Sequence, residues 1–562
     1  MLQLNDSGTK PSYEAEKSAF QLNDAVGCLD GDLDNAINAC VECCDRHVGD
    51  NKIALRCLSL DGQLREYTFE HLQDMSARAA NFFASQGVGQ GDVVAGMLPR
   101  TVELVATILG AWRMGAVYQP LFTAFGPKAI EHRLKMSNAR LVITNMANRA
   151  KLDDVSDYPN VVIVRSSDEI LPNGAIDFRA AVAACSPVFE PISCKGDDLF
   201  MMMSTSGTTG LPKGVPVPLR ALVSFSAYMR YAIDLREDDV FWNIADPGWA
   251  YGLYYAVAGP LMLGCSTLLY EGGFTAESTY RIIDQLGVTS LAGSPTAFRL
   301  LIAAGNEAAS AVKGRLRVVS SAGEPLNPEI LRWFETHLAA PIYDHYGQTE
   351  TGMLVNNHHG LTHTVRAGSA GFAMPGYRVA VLDDDGRELG PNQPGVLAVD
   401  IANSPLLWFK GYFNQETPAI ADGFYRTGDT VEAEPDGSIS FIGREDDLIT
   451  SSGYRIGPFD VESALIEHSA VVEAAVIGVP DPERTEIVKA FIVLSNNAEG
   501  TPALAEELAQ YVKKRLSAHA YPRLVDFVAE LPKTPSGKIQ RFLLRKAEIE
   551  KINATQNQGH GA

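Results

Sequence analysis

Between residues 92 and 145 the chain alternates short apolar runs with stretches whose apolar residues recur every three to four positions. DVVAGMLP (92–99) and ARLVITN (139–145) read as buried strands; RTVELVATILGAWRMG (100–115) and PKAIEHRLKMS (127–137) read as helices. That rhythm predicts βαβ units and a parallel sheet, and it starts at about residue 45. From Gly368 to Gly443 it gives way to short strands broken by Gly, Pro and Asp-Gly turns, as in GYRVAVLDDDGRELG, GVLAVDIAN and EPDGSISFIG, which predicts a meander or small barrel. After GREDDLITSSGYRIG a smaller α+β pattern follows. DVESALIEHS and ALAEELAQYVKKRLSAH are helical, and VVEAAVIGVP and VKAFIVLS are strands. Residues 1 to about 45 form an arm of amphipathic helical character, and the polar 553–562 read as an unstructured tail. The fold class is α/β: a large N-terminal domain of mixed and parallel sheets with helices plus a small β-barrel, then a small α+β C-terminal domain.

Length supports the division, since 562 residues exceed one ordinary core. The longest apolar stretch, Tyr254 to Tyr270, is interrupted by Gly259, Pro260 and Gly264, so it is expected to be a buried helix and strand and not a membrane span. The first residues lack a charged-then-apolar signal pattern, and a cytoplasmic protein is expected. A net charge of −21 argues against a nucleic-acid partner and requires a local cationic site for any polyanionic ligand. Cys40, Cys43 and Cys44 form a C-x-x-C-C cluster with no second pair at zinc-finger spacing, which predicts packed, reduced thiols.

The chemistry begins at MMMSTSGTTGLPKG (201–214). An apolar strand runs into a turn of closely spaced Gly, Ser and Thr, whose backbone N–H groups and hydroxyls converge on an anion. Leu211 and Pro212 separate Gly210 from Lys213, and no Ser or Thr follows the Lys. The loop is therefore not the G-x-x-x-x-G-K-[ST] of P-loop NTPases.

STSGTTGLPKG resembles the signature of the adenylate-forming family that groups acyl-CoA synthetases, luciferases and peptide-synthetase adenylation domains. YDHYGQTETG (343–352), YRTGDT (425–430), GREDDLITSSGYRIGP (443–458) and PKTPSGKIQR (532–541) match it in order, and the first 200 residues fit more loosely. The resemblance implies domains at 1–445 and 446–562, the second mobile about a hinge near Asp446. It implies a two-step reaction: a carboxylate attacks ATP to give acyl-AMP and pyrophosphate, then a thiol displaces AMP.

Thr205, Ser206, Gly207, Thr208, Thr209 and Lys213 would hold the β- and γ-phosphates, with Thr349 at the α-phosphate and Glu350 as the Mg²⁺ carboxylate. Asp429 and Arg444 match the ribose positions, and Arg455 a phosphate contact. The segments with Gly323, Glu324 and Pro325 and with Asp344, His345, Tyr346 and Gly347 resemble those flanking adenine, Gly323 and Tyr346 sandwiching the base. Lys538 matches the transition-state lysine, a compact charge able to meet carboxylate and phosphate together, and a possible target of regulatory acylation.

Trp249, Ala250 and Tyr251 match the acyl pocket. At Gly347 acetate-specific relatives carry Trp, so the glycine is expected to open space for short-branched to medium-chain acids. Acetate- or aryl-specific enzymes and a non-CoA acceptor are the alternatives, with a silent nucleotide sensor as the non-enzymatic one. CoA is the favoured acceptor because no carrier domain follows Lys538 and LDNAINACVECCDRHV resembles the arm of short- and medium-chain CoA ligases. Gly453 would admit its pantetheine arm, and Arg484, Lys533 and Arg541 would meet its phosphates. His358, His359 and His363 are expected in a loop near the acyl pocket and not in a metal site.

Overall fold

The computed structural model describes residues 10–166, 168–205, 212–444, 447–451, 454–481, 484–495, 498–516, 520–533 and 539–559, without the side chains of 455 and 552–559. Seven strands form one sheet, in the order Ile176–Asp177, Asn160–Val164, Leu141–Asn145, Val93–Met97, Val117–Pro120, Leu199–Ser204 and Gly214–Pro218. All neighbours are parallel except the last pair. Helices Val102–Arg113 and Pro127–Ser137 make two of the crossovers. The second starts on Pro127, whose missing N–H costs nothing there, and stops at Asn138 with φ 51°. Thr205 and Lys213, the described ends of the Gly-rich segment, adjoin the carboxyl end of Leu199–Ser204, a strand with a parallel neighbour, where open α/β sheets bind ligands.

A larger sheet of 14 strands changes character at the strand Ile342–Gln348. On one side lie Val318–Ala322, Ser290–Gly293, Phe241–Asn243, Thr267–Tyr270 and Ile53–Leu58, all parallel, with Leu64–Thr68 antiparallel at the edge. On the other lie Gly352–Asn356, Ser369–Ala373, Ile439–Arg444, Phe424–Ala433, Pro394–Asp400 and Val379–Leu382, all antiparallel. The stretch 254–270 is buried as expected, helical through Met262 and then the strand Thr267–Tyr270. No helix among the described residues is long and apolar enough to cross a membrane.

A third sheet contains Tyr454–Ile456, Ile449–Ser451, Thr485–Leu494, Val471–Asp481 and Leu524–Phe527. Helices Pro458–Ile466 and Pro502–Arg515 cover it, closing a core of Val461, Leu465, Val476, Ile492, Leu508 and Val512. The last helix, Arg541–Gly559, runs through most of the polar stretch read as a tail. Once a helix is nucleated each added residue brings its own backbone bond, so a polar stretch can continue it.

The arm folds as Tyr13–Ala19, Leu22–Val26 and Ala39–Cys43. Tyr13 donates to the Ala373 carbonyl (2.8 Å) and stacks on His358 (5.5 Å). His359 stacks on Tyr343 at 4.1 Å, and the His358 N–H donates to His363 Nε2. The loop that carries these histidines is thus packed into the core and against the arm, and its rings make aromatic and hydrogen-bond contacts there. Cys40, Cys43 and Cys44 are fully buried, their thiols against Ser76 Oγ and the Ala258 and Phe69 carbonyls.

One acid sits deep in the switch strand. Asp344 accepts the Leu326 N–H (3.0 Å), and burial raises its pKa from 3.8 to about 8 despite that bond. The folded state thus holds this proton more tightly than the unfolded chain does. Its contribution to stability is complete below about pH 4 and is lost as pH rises through about 8. Asp344→Asn, which keeps an acceptor for Leu326, is expected to remove a slope of about 1.4 kcal/mol per pH unit over that window. Urea unfolding at pH 5, 6, 7 and 8 measures it; parallel curves for both proteins would contradict the assignment.

Candidate active site

At the end of Ile342–Gln348 a bulge between Tyr346 and Gly347 and a tight turn at Gln348–Gly352 carry the chain back. Gly352 takes φ 66°, which glycine adopts without Cβ strain. This hairpin presents Tyr346, Gln348 and Glu350 toward the strand Phe424–Ala433. Tyr346 donates to Asp429 Oδ2 at 2.5 Å, and Gln348 Nε2 donates to the same oxygen at 2.8 Å. Gln348 Oε1 in turn accepts from Tyr425 at 2.8 Å, which fixes its amide orientation. Asp429 is paired in register with Arg444 on the neighbouring strand. The adenine and ribose candidates are thereby bonded to each other.

Glu350 is buried and accepts from the Tyr412 hydroxyl at 2.8 Å. Burial raises its pKa, the Tyr412 bond lowers it, and the Asp429 charge raises it again. Lys213 is exposed, with its ammonium 4.6 Å from the centre of the Tyr412 ring. The ends of its loop are pinned together: Thr205 N–H donates to the Lys213 carbonyl, and Lys213 N–H donates to Thr205 Oγ1. Thr349 is half-buried, its carbonyl accepting from Tyr254. Two acids, a lysine and their hydrogen-bond partners therefore meet at one place, although they come from four distant stretches.

Other expected ligand contacts are not made this way. The Asp344 carboxyl is spent on holding the segment 321–326 to the switch strand. His345 is buried, between the Tyr228 hydroxyl on Nδ1 (2.8 Å) and the Asn357 carbonyl on Nε2 (3.0 Å), and burial pushes its pKa down to about 3. Both side chains are structural, because sheet alternation turns them into packed layers. Gly323 is exposed at φ 101°, and Pro325 is half-buried. Glu324 pairs with Arg299 (3.1 Å) and accepts from Thr296.

At the acyl pocket, Trp249 is half-buried against Phe122 (5.4 Å) and Phe125 (5.2 Å), with Ala250 and Tyr251 half-buried beside it. The Tyr251 hydroxyl meets that of Tyr228 at 3.1 Å. Gly347 does not open a volume. A Cβ there would lie 2.2 Å from the Gly352 carbonyl oxygen and 2.7 Å from Met353 Cα. The glycine is required by the close approach of the two hairpin strands, so the expectation of space left by a missing indole fails.

The expected CoA cations are not gathered either. Lys533 pairs with Glu473 at 2.6 Å, and Arg541 grips the buried Glu462 with two bonds of 2.9 and 2.6 Å. Burial pulls the Arg541 pKa down, and the Glu462 carboxylate outweighs it, leaving the pKa raised. A long cation beside a buried acid is committed to it, which spacing in the sequence does not reveal. Arg484 donates its N–H to Asp481. Arg455 lies on the strand Tyr454–Ile456, its side chain outside the described set. Ser206, Gly207, Thr208, Thr209, Asp446, Gly453 and Lys538 lie outside the described residues.

Gln348, Tyr412 and Tyr425 were not singled out as site residues. Gln348 lies inside YGQTE and Tyr425 opens YRTGDT, so both stand within motifs; FKGYF around Tyr412 carries no chemical signature of its own.

Comparison with known proteins identifies the family. Residues 44–413 match the AMP-binding enzyme family and residues 460–538 the AMP-binding enzyme C-terminal domain. The chain is 38% identical over 555 residues to an acetyl-coenzyme A synthetase of Bacillus subtilis, covering 96% of this chain and 95% of that one. It is 34% identical to a 4-hydroxybutyrate–CoA ligase of Metallosphaera sedula, covering 95% and 94%. The crystal structure of a Brucella canis acyl-CoA synthetase superposes with a TM-score of 0.79 at 71% identity, covering 96% and 99%. With one family match over most of the large unit and another over most of the following α+β unit, the chain belongs to the AMP-binding enzyme family, among the AMP-forming acyl-CoA synthetases.

Proposed function

We propose that this protein joins a carboxylic acid of about four to eight carbons to CoA through an acyl-adenylate, releasing AMP and pyrophosphate. The observation that carries the adenylation step is the convergence of Glu350, Asp429 and Lys213 with their fixed partners. Bringing a carboxylate to ATP sets two anions together, so the barrier falls by neutralisation and positioning. Asp429, its orientation set by Tyr346 and Gln348, accepts from the ribose hydroxyls. Lys213 and the Thr205 loop meet the phosphates.

The residues fit Mg²⁺. Glu350 is a single hard carboxylate with one oxygen engaged by Tyr412, and Mg²⁺ binds through one or two carboxylates with substrate phosphates and water. When bound, it supplies charge neutralisation on the phosphate oxygens. Lys538, on the sequence match, supplies a positive charge at the reacting carboxylate and α-phosphate. Residues 446–562 turn about Asp446 between the half-reactions and bring Gly453 to the thiol. Gly323 contacts adenine, and Arg444 the ribose.

The chain-length preference is supported by Ala250, a small side chain between half-buried Trp249 and Tyr251. Each methylene buried there adds about 0.8 kcal/mol. Acetate is the second reading. It is favoured by the closed packing at Gly347 and by the acetyl-coenzyme A synthetase among the relatives. The 4-hydroxybutyrate–CoA ligase places a four-carbon acid within the same range of relatives.

CoA-dependent AMP formation across acetate, propionate, isobutyrate, 2-methylbutyrate, hexanoate, octanoate and benzoate decides between them. A maximum between C4 and C8 with kcat/KM for acetate about tenfold or more lower is expected, from two further methylenes; a maximum at acetate establishes the second reading. Lys538→Ala is expected to slow acyl-adenylate formation by roughly 10²–10³-fold, as loss of one preorganised charge donor does. Thioester formation from supplied acyl-AMP should stay within a few-fold of the parent. Equal loss in both half-reactions would remove Lys538 from the first step.

A further inference from the structure

Tyr412 touches two ionic members of the site, Glu350 and Lys213, and belongs to none of the matched motifs. Its hydroxyl donates to Glu350 Oε1 at 2.8 Å, and its ring lies under the Lys213 ammonium at 4.6 Å. Its backbone is held independently. The Tyr412 N–H donates to Thr417 Oγ1 (2.8 Å), the Phe413 N–H donates to the Gly214 carbonyl (2.9 Å), and the ring meets Phe409 edge-on at 5.2 Å. The residue is thus tied to the base of the loop that ends in Lys213, while its side chain reaches the acid on the switch hairpin.

We propose that Tyr412 is a positioning residue of the metal–nucleotide site: it selects the oxygen of Glu350 that faces the cation and parks the Lys213 ammonium until a polyphosphate takes it. The inference rests on the proposed adenylation site. A carboxylate whose Oε1 accepts a fixed hydroxyl turns Oε2 outward in one orientation, which saves the ordering cost when Mg²⁺ arrives. A lysine held on an aromatic face keeps its charge near the loop, and the contact is weak enough to be exchanged for phosphate oxygens. Each half of this job belongs to a different part of one side chain, so the two separate by substitution. Phenylalanine keeps the ring and loses the hydroxyl. Leucine loses both.

The test uses the full-length protein and measures binding before activity. Mn²⁺ is titrated by electron paramagnetic resonance with a non-hydrolysable ATP analogue present, without acid or CoA, for the parent, Tyr412→Phe, Tyr412→Leu and Glu350→Gln. Tyr412→Phe is expected to weaken Mn²⁺ about tenfold, the scale of one hydrogen bond to a charged group, with nucleotide affinity at saturating metal unchanged. Tyr412→Leu should lose Mn²⁺ in the same way but bind nucleotide about threefold more tightly at saturating metal, because the ring contact that Lys213 gives up on binding is absent from its free state. Tyr412→Phe matching the parent in the Mn²⁺ titration would overturn the proposal. So would both variants losing metal and nucleotide affinity by the same factor along with thermal stability, which is what a packing role alone gives. No Mn²⁺ bound by the parent, or none lost in Glu350→Gln, also overturns it. Failure of the acid-to-CoA reading is distinguishable, since it shows as no AMP formation with any acid while this titration still separates the variants.

Discussion

The hydrogen bonds that Asp429 accepts from Tyr346 and Gln348 join the parallel and antiparallel halves of the large sheet at one oxygen atom. An ionised carboxylate buried this far is tolerated only when its acceptor sites are filled, and here the donors come from the strand where the sheet changes direction. The constraint acts both ways. Asp429 needs the two donors, and the donors are oriented by it, with Tyr425 holding the far side of Gln348. A bulge at Tyr346/Gly347 and a turn closing on Gly352 are what bring Gln348 and Glu350 round to that side. The close packing that excludes a Cβ at Gly347 is a consequence of the same hairpin.

Charge is the second constraint. The chain carries −21 overall, and the candidate site adds two buried acids to that background. Cations elsewhere are largely spent on internal partners. Arg541 and Arg545 close on Asp447, with Arg541 also on Glu462; Lys489 pairs with Asp526 and Glu548; Arg317 pairs with Asp234 and Asp239. Lys213 differs in resting on an aromatic ring and not on a carboxylate, so releasing it to a ligand breaks no ion pair described there. Such a site favours a polyanion that arrives with its own cation.

The division into elements was largely legible in the sequence, and the reason is periodicity. PKAIEHRLKMS forms the helix Pro127–Ser137, VVEAAVIGVP lies within the strand Val471–Asp481, and the run Tyr254–Tyr270 forms buried helix and strand. Apolar spacing and Gly or Pro punctuation are local properties, and they determine local structure. The tail helix was missed because helix propagation needs no apolar signal.

The site was legible as a set of motifs and illegible as a set of contacts. By itself the sequence determined the family, and it pointed to an anion-binding loop and to the stretches proposed to carry the chemistry, since Gly spacing and residue type survive without coordinates. Only tertiary structure decided that Asp344 and His345 face packed layers, that Lys533 and Arg541 are held by Glu473 and Glu462, and that Gly347 serves a close approach and not an open pocket. It also decided that Tyr412 joins Glu350 to Lys213. The reason is the same in each case. Which face a strand residue turns inward, and which acid lies within reach of a long cation, depend on how segments from a few to more than a hundred residues apart are brought together, and no local pattern encodes that pairing.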